Sequence, residues 1–190
     1  MPLIKPEDSL ETIFNTIKHE LHRAYLDKKH PFRYVNLATV GVDGVHQRLV
    51  VFRELSEDLK LTIYTDIRSE KVVDINFNPR VSLLLYHPQK QVQIRMEGHA
   101  GIHHRDELTH DRWQRVQGDA RKSYGTILAP GTGIKQSTYD DYLTENEGQY
   151  FAVISIQIST VELLQLNRGE HIRVKYEKSA TNWVGQWLVP

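Results

Sequence analysis

Residues 48–71 read RLVVFRELSEDLKLTIYTDIRSEK, and this stretch decides the fold. An apolar run, a short polar turn and a second apolar segment predict two consecutive β-strands, and Ser69 then predicts the start of a helix. Cations lie at both ends, with Arg48 and Arg53 on the first strand and Lys71 in the first turn of the helix. Because a helix N-terminus offers unpaired N–H groups and a partial positive charge, we expect a phosphate-binding site here. A phosphorylated cofactor or substrate is therefore the first hypothesis.

The same cations have a second interpretation, since most lysine and arginine side chains are solvated at the protein surface. Two features favour the phosphate site. Lys71 lies where a cation is disfavoured unless an anion offsets it. Arg48 directly precedes the apolar run 49–52 and can project from a buried strand. Composition alone leaves both interpretations open.

The overall composition is that of a soluble globular protein. The 190 residues are 39% hydrophobic and 25% charged, which favours a single domain over 1–190. The formal net charge is zero, so the basic excess typical of nucleic-acid binding is missing. The chain has no cysteine, which excludes disulfides, thiolate metal sites and a cysteine nucleophile. With no leader pattern and no run of about 18 apolar residues, we expect no membrane contact and a cytoplasmic location.

The spacing of apolar residues and breakers predicts a mainly β (α+β) protein. A helix over 8–29, capped by Asp8, is expected to pack as the N-terminal element 1–30 on an antiparallel barrel with flanking helices. The predicted strands are 33–40, 45–54, 59–65, 80–87, 91–103, 150–158, 160–167, 170–177 and 182–189. The other predicted elements are helices at 70–77, 104–117 and near 138–146, and a breaker-rich loop over 118–137.

Several other motifs carry no specific function on their own. Gly131–Lys135 lacks the spacing of a nucleotide P-loop. His99, His103, His104 and His110 match no metal-ligand spacing, so we interpret them as surface histidines and predict no metal site. Alternation along 91–95 is compatible both with a solvated polar face and with a ligand-facing wall. Trp183 and Trp187 indicate packing in the core or in a dimer interface.

Taken in order, these residues resemble the pyridoxamine 5′-phosphate oxidase-related family of FMN-binding split β-barrels. The resemblance covers roughly residues 35–190. The matching pieces are Arg48–Val51, Tyr64–Asp66, Arg68–Lys71, Asn78–Val81, Gln93–Arg95 with Gly98, Lys135–Ser137, Gly169–His171 and Trp183–Leu188 with Pro190.

The resemblance implies an antiparallel split β-barrel that forms a homodimer, with FMN at the subunit interface and a small-molecule substrate. It implies that Arg48 and Lys71 hold the FMN phosphate, and that Gln136 and Ser137 reach over from the partner subunit. The other cofactor-binding residues that it implies are Leu49, Val50, Val51, Arg53, Tyr64, Thr65, Ser69, Gln93 and Arg173.

The chain also departs from the family. Glu70 stands where these oxidases usually carry arginine, and the R-L-H segment expected after His171 is missing. Flavin binding is therefore better supported than oxidation of vitamin B6 phosphates. Our main hypothesis is an FMN-binding oxidoreductase that passes a hydride between an unidentified substrate and the flavin. No catalytic base is assigned, and Arg95 and His171 are pocket candidates. The alternatives are a non-catalytic flavin-binding or flavin-sensing protein, and a split barrel that binds haem or a deazaflavin.

Overall fold

The computed structural model, which describes residues 2–166 and 170–190, begins with helix α1 at Leu10–Leu26. Ser9 caps this helix, because its side chain accepts the N–H of Thr12 at 3.1 Å. The predicted cap Asp8 instead accepts the N–H of Lys5 at 2.8 Å, so α1 starts two residues later than predicted. It also ends three residues before the predicted end. The fully buried face of α1 consists of Ile13, Ile17, Leu21 and Ala24.

Nine strands and two further α-helices follow within the described residues. The strands are β1 (Tyr34–Val40), β2 (Val45–Val51), β3 (Glu54–Leu55), β4 (Lys60–Asp66), β5 (Arg80–His87), β6 (Val92–His103), β7 (Phe151–Gln165), β8 (Ile172–Lys178) and β9 (Trp183–Leu188). The helices are α2 (Glu70–Phe77) and α3 (Glu107–Gln114), with 3-10 turns at Pro31–Arg33 and Gly118–Tyr124.

The strands form one antiparallel sheet in the order β2-β1-β5-β6-β7-β4-β3, and β8 joins β7 to β9. This arrangement confirms the mainly β prediction with flanking helices.

Strand β7 divides the sheet into two parts. One edge of β7 pairs with β6 along its length. The other edge pairs with β4 over 151–157 and with β8 over 160–165. The prediction of separate strands at 150–158 and 160–167 is wrong, because the register shifts opposite Glu97 and Gly98 without ending the strand. Such a bulge bends a strand and lets its two halves join different partners.

The hydrophobic core lies between α1 and the inward-facing side chains of the sheet. The side chain of Tyr176 on β8 donates a hydrogen bond to the carbonyl of Leu10 at 2.7 Å, and Phe14 packs 4.7 Å from the same ring. Core residues from the sheet include Leu37, Leu61, Ile63, Leu83, Ile94, Met96, Ile154 and Ile156. A second, smaller cluster joins α3 to β7 and consists of Trp113, Val116, Tyr124, Phe151 and Val153.

Local signals placed α2 correctly but failed in the segment between α3 and β7. Helix α2 spans the predicted 70–77, whereas α3 is shorter at both ends than the predicted 104–117. The short helix predicted near 138–146 is not formed. Tyr142 makes an isolated β-bridge to Thr126 instead, and the N–H of Leu143 is bonded to the carbonyl of Gly125 at 2.8 Å.

None of the helices in the described residues is long and apolar enough to cross a membrane.

Replacement of Gly98 tests the bulge. A Cβ atom there would lie 2.2 Å from the carbonyl oxygen of Gln157 on the backbone of β7. We expect Gly98→Ala to lower the free energy of unfolding by about 1–3 kcal/mol, measured by urea denaturation. Gly101→Ala is the matched control, since its Cβ would meet only Ser155 Oγ at 3.6 Å. Equal stability of the two variants would contradict this account of the bulge.

Candidate functional site

The N-terminus of α2 is built to receive an anion. Ser69 occupies the N-cap position, as predicted, but its hydroxyl makes no hydrogen bond to the helix. It pairs with Thr65 Oγ1 at 3.0 Å, and Lys71 Nζ donates to the same Thr65 oxygen at 3.1 Å. The first N–H groups of a helix have no intrahelical acceptor, so the missing serine cap leaves them available.

Lys71 is a partly desolvated cation beside the start of α2. Burial lowers the pKa of its ammonium group and the neighbouring Arg48 lowers it further, although the carboxylates of Asp66, Glu70 and Asp74 act in the opposite direction. A phosphate beside these groups would offset both effects. Lys71, Thr65, Ser69 and Arg48 thus form one group, which we call the α2 cradle.

Arg48 reaches the α2 cradle from β2, but it is already paired with carboxylates. Its Nη2 lies 3.3 Å from both Glu70 Oε2 and Asp74 Oδ2, and its Nη1 donates to Thr39 Oγ1. Asp74 also accepts hydrogen bonds from Thr39 at 2.6 Å and from His46 Nδ1 at 3.0 Å. The sequence did not reveal Thr39, His46 or Asp74 as neighbours. The one available signal was that Glu70 and Asp74 are four residues apart and share a helix face.

Arg53 and Tyr64 form a second group beside the short strand β3. The guanidinium of Arg53 lies 5.2 Å from the ring centroid of Tyr64. Burial raises the pKa of Tyr64 to about 12, and the nearby Glu54 adds to this shift. Arg112 Nη2 pairs with Glu54 at 2.8 Å. Among the described residues, Nε of Arg53 and Nε of Arg112 are buried with no hydrogen-bond partner.

Burial and the neighbouring Arg53 also lower the pKa of Arg33. The charges that act on Tyr64 itself are one carboxylate, Glu54, and three arginines, Arg53, Arg112 and Arg115.

Gln93 and Arg173 lie together on the sheet. Gln93 on β6 is in register with Leu164 on β7, and Leu164 is in register with Arg173 on β8. Arg173 is bonded to the buried Glu162 at 2.7 Å, and Arg95 is bonded to the other oxygen of the same carboxylate at 2.8 Å. The pocket candidate Arg95 is therefore already paired, with the shared Glu162 and with Glu97 at 3.6 Å.

The α2 cradle and the Gln93–Arg173 group face opposite sides of the sheet. Leu49 is in register with Arg95 through Asn36 on β1 and Leu84 on β5, so these side chains share one face, which we call the outer face. Successive residues of a strand point to opposite faces, so Arg48 lies on the other side from Leu49. Arg95 is in register with Glu162 on β7, and Glu162 is in register with Lys175 on β8, so these side chains also lie on the outer face. Gln93 lies two residues from Arg95, and Arg173 lies two residues from Lys175, so both share that face.

The remaining predicted residues are spread over the surface and core. Val50 is buried, Val51 is half-buried and Leu49 is exposed on the outer face. Gln136 and Ser137 are both exposed in the irregular segment before β7. Glu170 and His171 are exposed, and Gly169 of the same predicted turn lies outside the described residues.

Arg68 holds the beginning of that irregular segment against α2. It donates hydrogen bonds to the carbonyls of Thr126 and Ile127, each at 2.9 Å. Its guanidinium also pairs with Asp66 at 2.7 Å and lies 3.4 Å from the ring centroid of Tyr150. The segment that carries Gln136 and Ser137 therefore begins close to the start of α2.

His103, interpreted above as a surface residue, links α3 to the sheet. Its Nε2 lies 3.0 Å from Ser155 Oγ, and its Nδ1 lies 3.0 Å from Asp106, the N-cap of α3. A Ser–His–Asp chain also occurs in hydrolases. Here, however, Ser155 is buried in the middle of β7 and paired with β4 and β6. We therefore assign these hydrogen bonds between Ser155, His103 and Asp106 a structural role.

Comparison with known proteins shows which family this chain is similar to. Residues 12–104 match the family model described as pyridoxamine 5′-phosphate oxidase, FMN-binding domain. The pyridoxine/pyridoxamine 5′-phosphate oxidase of Haemophilus influenzae is 26% identical over 169 residues, which are 82% of this chain and 79% of that protein.

Two solved structures extend the comparison. A pyridoxamine 5′-phosphate oxidase-related, FMN-binding protein from Nostoc punctiforme is 26% identical, with a TM-score of 0.75 over 93% of this chain and 96% of that chain. PhzG from Burkholderia lata, solved with tetrahydrophenazine-1-carboxylic acid, shares the fold with a TM-score of 0.75 at 18% identity over 98% of both chains.

These matches confirm the split-barrel fold, and the matched domain is one that binds FMN, the expected cofactor. The matched range contains the α2 cradle, Arg53, Tyr64 and Gln93. The chain is therefore a relative of the pyridoxamine 5′-phosphate oxidases, related to them through the FMN-binding split-barrel domain.

Proposed function

We propose that this protein is an FMN-dependent oxidoreductase that holds the FMN phosphate in the α2 cradle. The observation that carries the proposal is the N-terminus of α2, where the Ser69 hydroxyl makes no hydrogen bond to the helix and the half-buried Lys71 donates to the neutral hydroxyl of Thr65. A phosphate there accepts hydrogen bonds from the helix and from Lys71. When bound, FMN supplies the hydride-transfer chemistry. The protein residues bind and orient the cofactor and exclude water from it.

The opposite orientation of the two groups supports a homodimer. One chain turns the α2 cradle to one side of the sheet, whereas Gln93 and Arg173 face the other side. A second copy, approaching with its outer face, can supply those two residues. The outer face also carries exposed apolar side chains that a partner would cover, namely Tyr34, Leu49 and Leu84, which are 60%, 70% and 41% exposed.

The arginines around Tyr64 support a small anionic substrate. Arg53 and Arg112 each have a buried Nε without a hydrogen-bond partner among the described residues. A carboxylate or phosphate on the substrate would satisfy such donors through charge-assisted hydrogen bonds. We assign these two arginines to substrate orientation.

A second candidate function is flavin binding without turnover. It is favoured by Glu162, which already engages both Arg95 and Arg173 and so occupies two cations on the outer face. Reduction of the bound flavin by pyridoxine phosphate, or by a panel of amines and alcohols, would exclude this candidate. An absorbance spectrum of the purified protein separates flavin from haem and from a deazaflavin. A colourless protein with no affinity for FMN would contradict the main proposal.

Removal of Lys71 tests the phosphate assignment. We expect Lys71→Ala to weaken FMN binding by about 1.5–3 kcal/mol, or roughly 10- to 150-fold in Kd, because a charge-assisted hydrogen bond is lost. Isothermal titration calorimetry with FMN and with riboflavin measures the effect. Riboflavin lacks the phosphate, so its affinity should not change. Lys60→Ala, on an exposed position of β4, is the control. A loss that is equal for FMN and riboflavin would disprove the assignment.

A charge on the outer face tests the dimer. We expect Leu84→Lys to shift the molar mass from dimer to monomer in size-exclusion chromatography with light scattering, because the lysine would be buried in the interface. The control is Leu26→Lys, at an exposed position at the end of α1. The monomeric variant should also lose FMN, since the partner residues are gone. A monomeric wild type, or an unchanged mass for Leu84→Lys, counts against this interface.

A further inference from the structure

Arg48 is shared between two possible partners. Its Nη2 lies 3.3 Å from both Glu70 Oε2 and Asp74 Oδ2, and its side chain is only 20% exposed. These contacts direct the guanidinium toward α2 and away from solvent. An FMN phosphate in the α2 cradle needs the same guanidinium. The Nη1 and Nη2 groups already donate to Thr39, the carbonyl of His46, Glu70 and Asp74, so the planar guanidinium cannot turn to a phosphate without giving up some of these bonds.

Asp74 is a strong competitor because it is buried and well bonded. Burial alone would raise the pKa of its carboxyl group, but hydrogen bonds from Thr39, His46 and Arg48 outweigh this and hold the pKa below its usual value. The carboxylate is therefore ionised at neutral pH. If Arg48 turned to a phosphate, Asp74 would keep its negative charge with one cation fewer. That loss opposes phosphate binding.

We propose that Glu70 and Asp74 compete with the FMN phosphate for Arg48, and that protonation of His46 relieves this competition. The inference rests on the proposed function, because it assumes that the phosphate binds in the α2 cradle. Glu70 and Asp74 thereby become determinants of FMN affinity.

His46 is placed to replace Arg48 as the cation of the cluster. Its Nδ1 lies 3.0 Å from Asp74 and 3.9 Å from Glu70 on α2, and its Nε2 lies 3.3 Å from Asp43 in the β1–β2 turn. Arg48 is the cation facing it from its own strand, and Thr39 faces the same cluster from β1. Three carboxylates thus surround the imidazole.

The direction of the pH effect follows from these contacts. The hydrogen bond to Asp74 raises the pKa of His46 above its usual value. Below that pKa the imidazolium offsets the charge of Asp74 and Glu70 and repels Arg48, so Arg48 is released to the phosphate. Above it the carboxylates hold Arg48. FMN affinity should therefore fall as pH rises through the pKa of His46.

A metal ion is the other cation that such side chains attract. His46, Glu70 and Asp74 offer ligand-type atoms within 4.8 Å of one another. The guanidinium of Arg48, however, is bonded to both carboxylates, so it already provides the positive charge of this cluster.

The test measures the Kd of FMN and of riboflavin by fluorescence quenching. We expect Glu70→Gln to bind FMN about two- to fivefold more tightly than the wild type, the range of an exposed ion pair, with riboflavin unchanged. Glu57→Gln, at an exposed position between β3 and β4, is the matched control. Glu70 is exposed as well, so neither substitution should affect folding.

The second arm compares FMN binding between about pH 6.5 and 8.5, a range above the second pKa of a phosphate monoester. Wild type should lose about two- to fivefold in affinity as pH rises, and His46→Gln should show no such slope. His19→Gln, on the exposed side of α1, should retain the wild-type slope. Any remaining titration of the FMN phosphate is the same in every variant, so a difference in the pH slope between variants isolates His46.

The outcomes separate this inference from the function on which it rests. No FMN binding by the wild type would overturn both. Weaker binding by Lys71→Ala, with no gain for Glu70→Gln over Glu57→Gln, would overturn the competition and leave the α2 cradle intact. A pH slope that persists in His46→Gln would overturn the role of His46.

Discussion

The pairing of β7 with three other strands is the constraint on which the rest of the structure depends. Its first half joins β4, its second half joins β8, and β6 follows it along the opposite edge. The bulge opposite Gly98 makes this possible, because it bends the strand without ending it. As a result, β4 brings Thr65 to the start of α2, while β8 carries Arg173 to the outer face. The distribution of the cofactor-binding candidates over two faces is thus a consequence of the sheet.

A second principle of this molecule is that its cations are opposed by carboxylates. Glu162 holds Arg95 and Arg173, Asp66 holds Arg68, and Asp74 with Glu70 holds Arg48. Lys71 differs in its direct partner, since its hydrogen bond goes to a neutral hydroxyl and the carboxylates of Asp66, Glu70 and Asp74 act on its charge only through space. This contrast explains why the α2 cradle can favour an anion in a chain whose formal net charge is zero. Affinity for FMN then depends on how the acidic partners of Arg48 respond to it.

Sequence reasoning succeeded where local signals decide the structure. Asn78-Pro79 ends α2 where predicted, because proline restricts the backbone of the residue before it. The helix also begins directly after Ser69, as predicted, although this serine makes no cap hydrogen bond. It failed where pairing through space decides. The segment at 138–146 pairs with 125–127 rather than forming a helix, and β7 continues through a bulge that depends on Gly98 of another strand.

The same distinction applies to the site. The motif order gave Arg48, Thr65, Ser69 and Lys71, which the fold brings together around α2. It did not give Asp74, His46 or Thr39. Asp74 comes from α2 and Thr39 from β1, and the contact of His46 on β2 with Asp74 forms only in the folded chain.

A crystal structure of the protein grown with FMN tests the central claim most directly. We predict a dimer in which the phosphate accepts hydrogen bonds from Lys71 Nζ and from the first N–H groups of α2. Gln93 and Arg173 of the second copy should approach the flavin. A phosphate bound away from the α2 cradle, or a flavin contacted by one chain alone, would contradict the account.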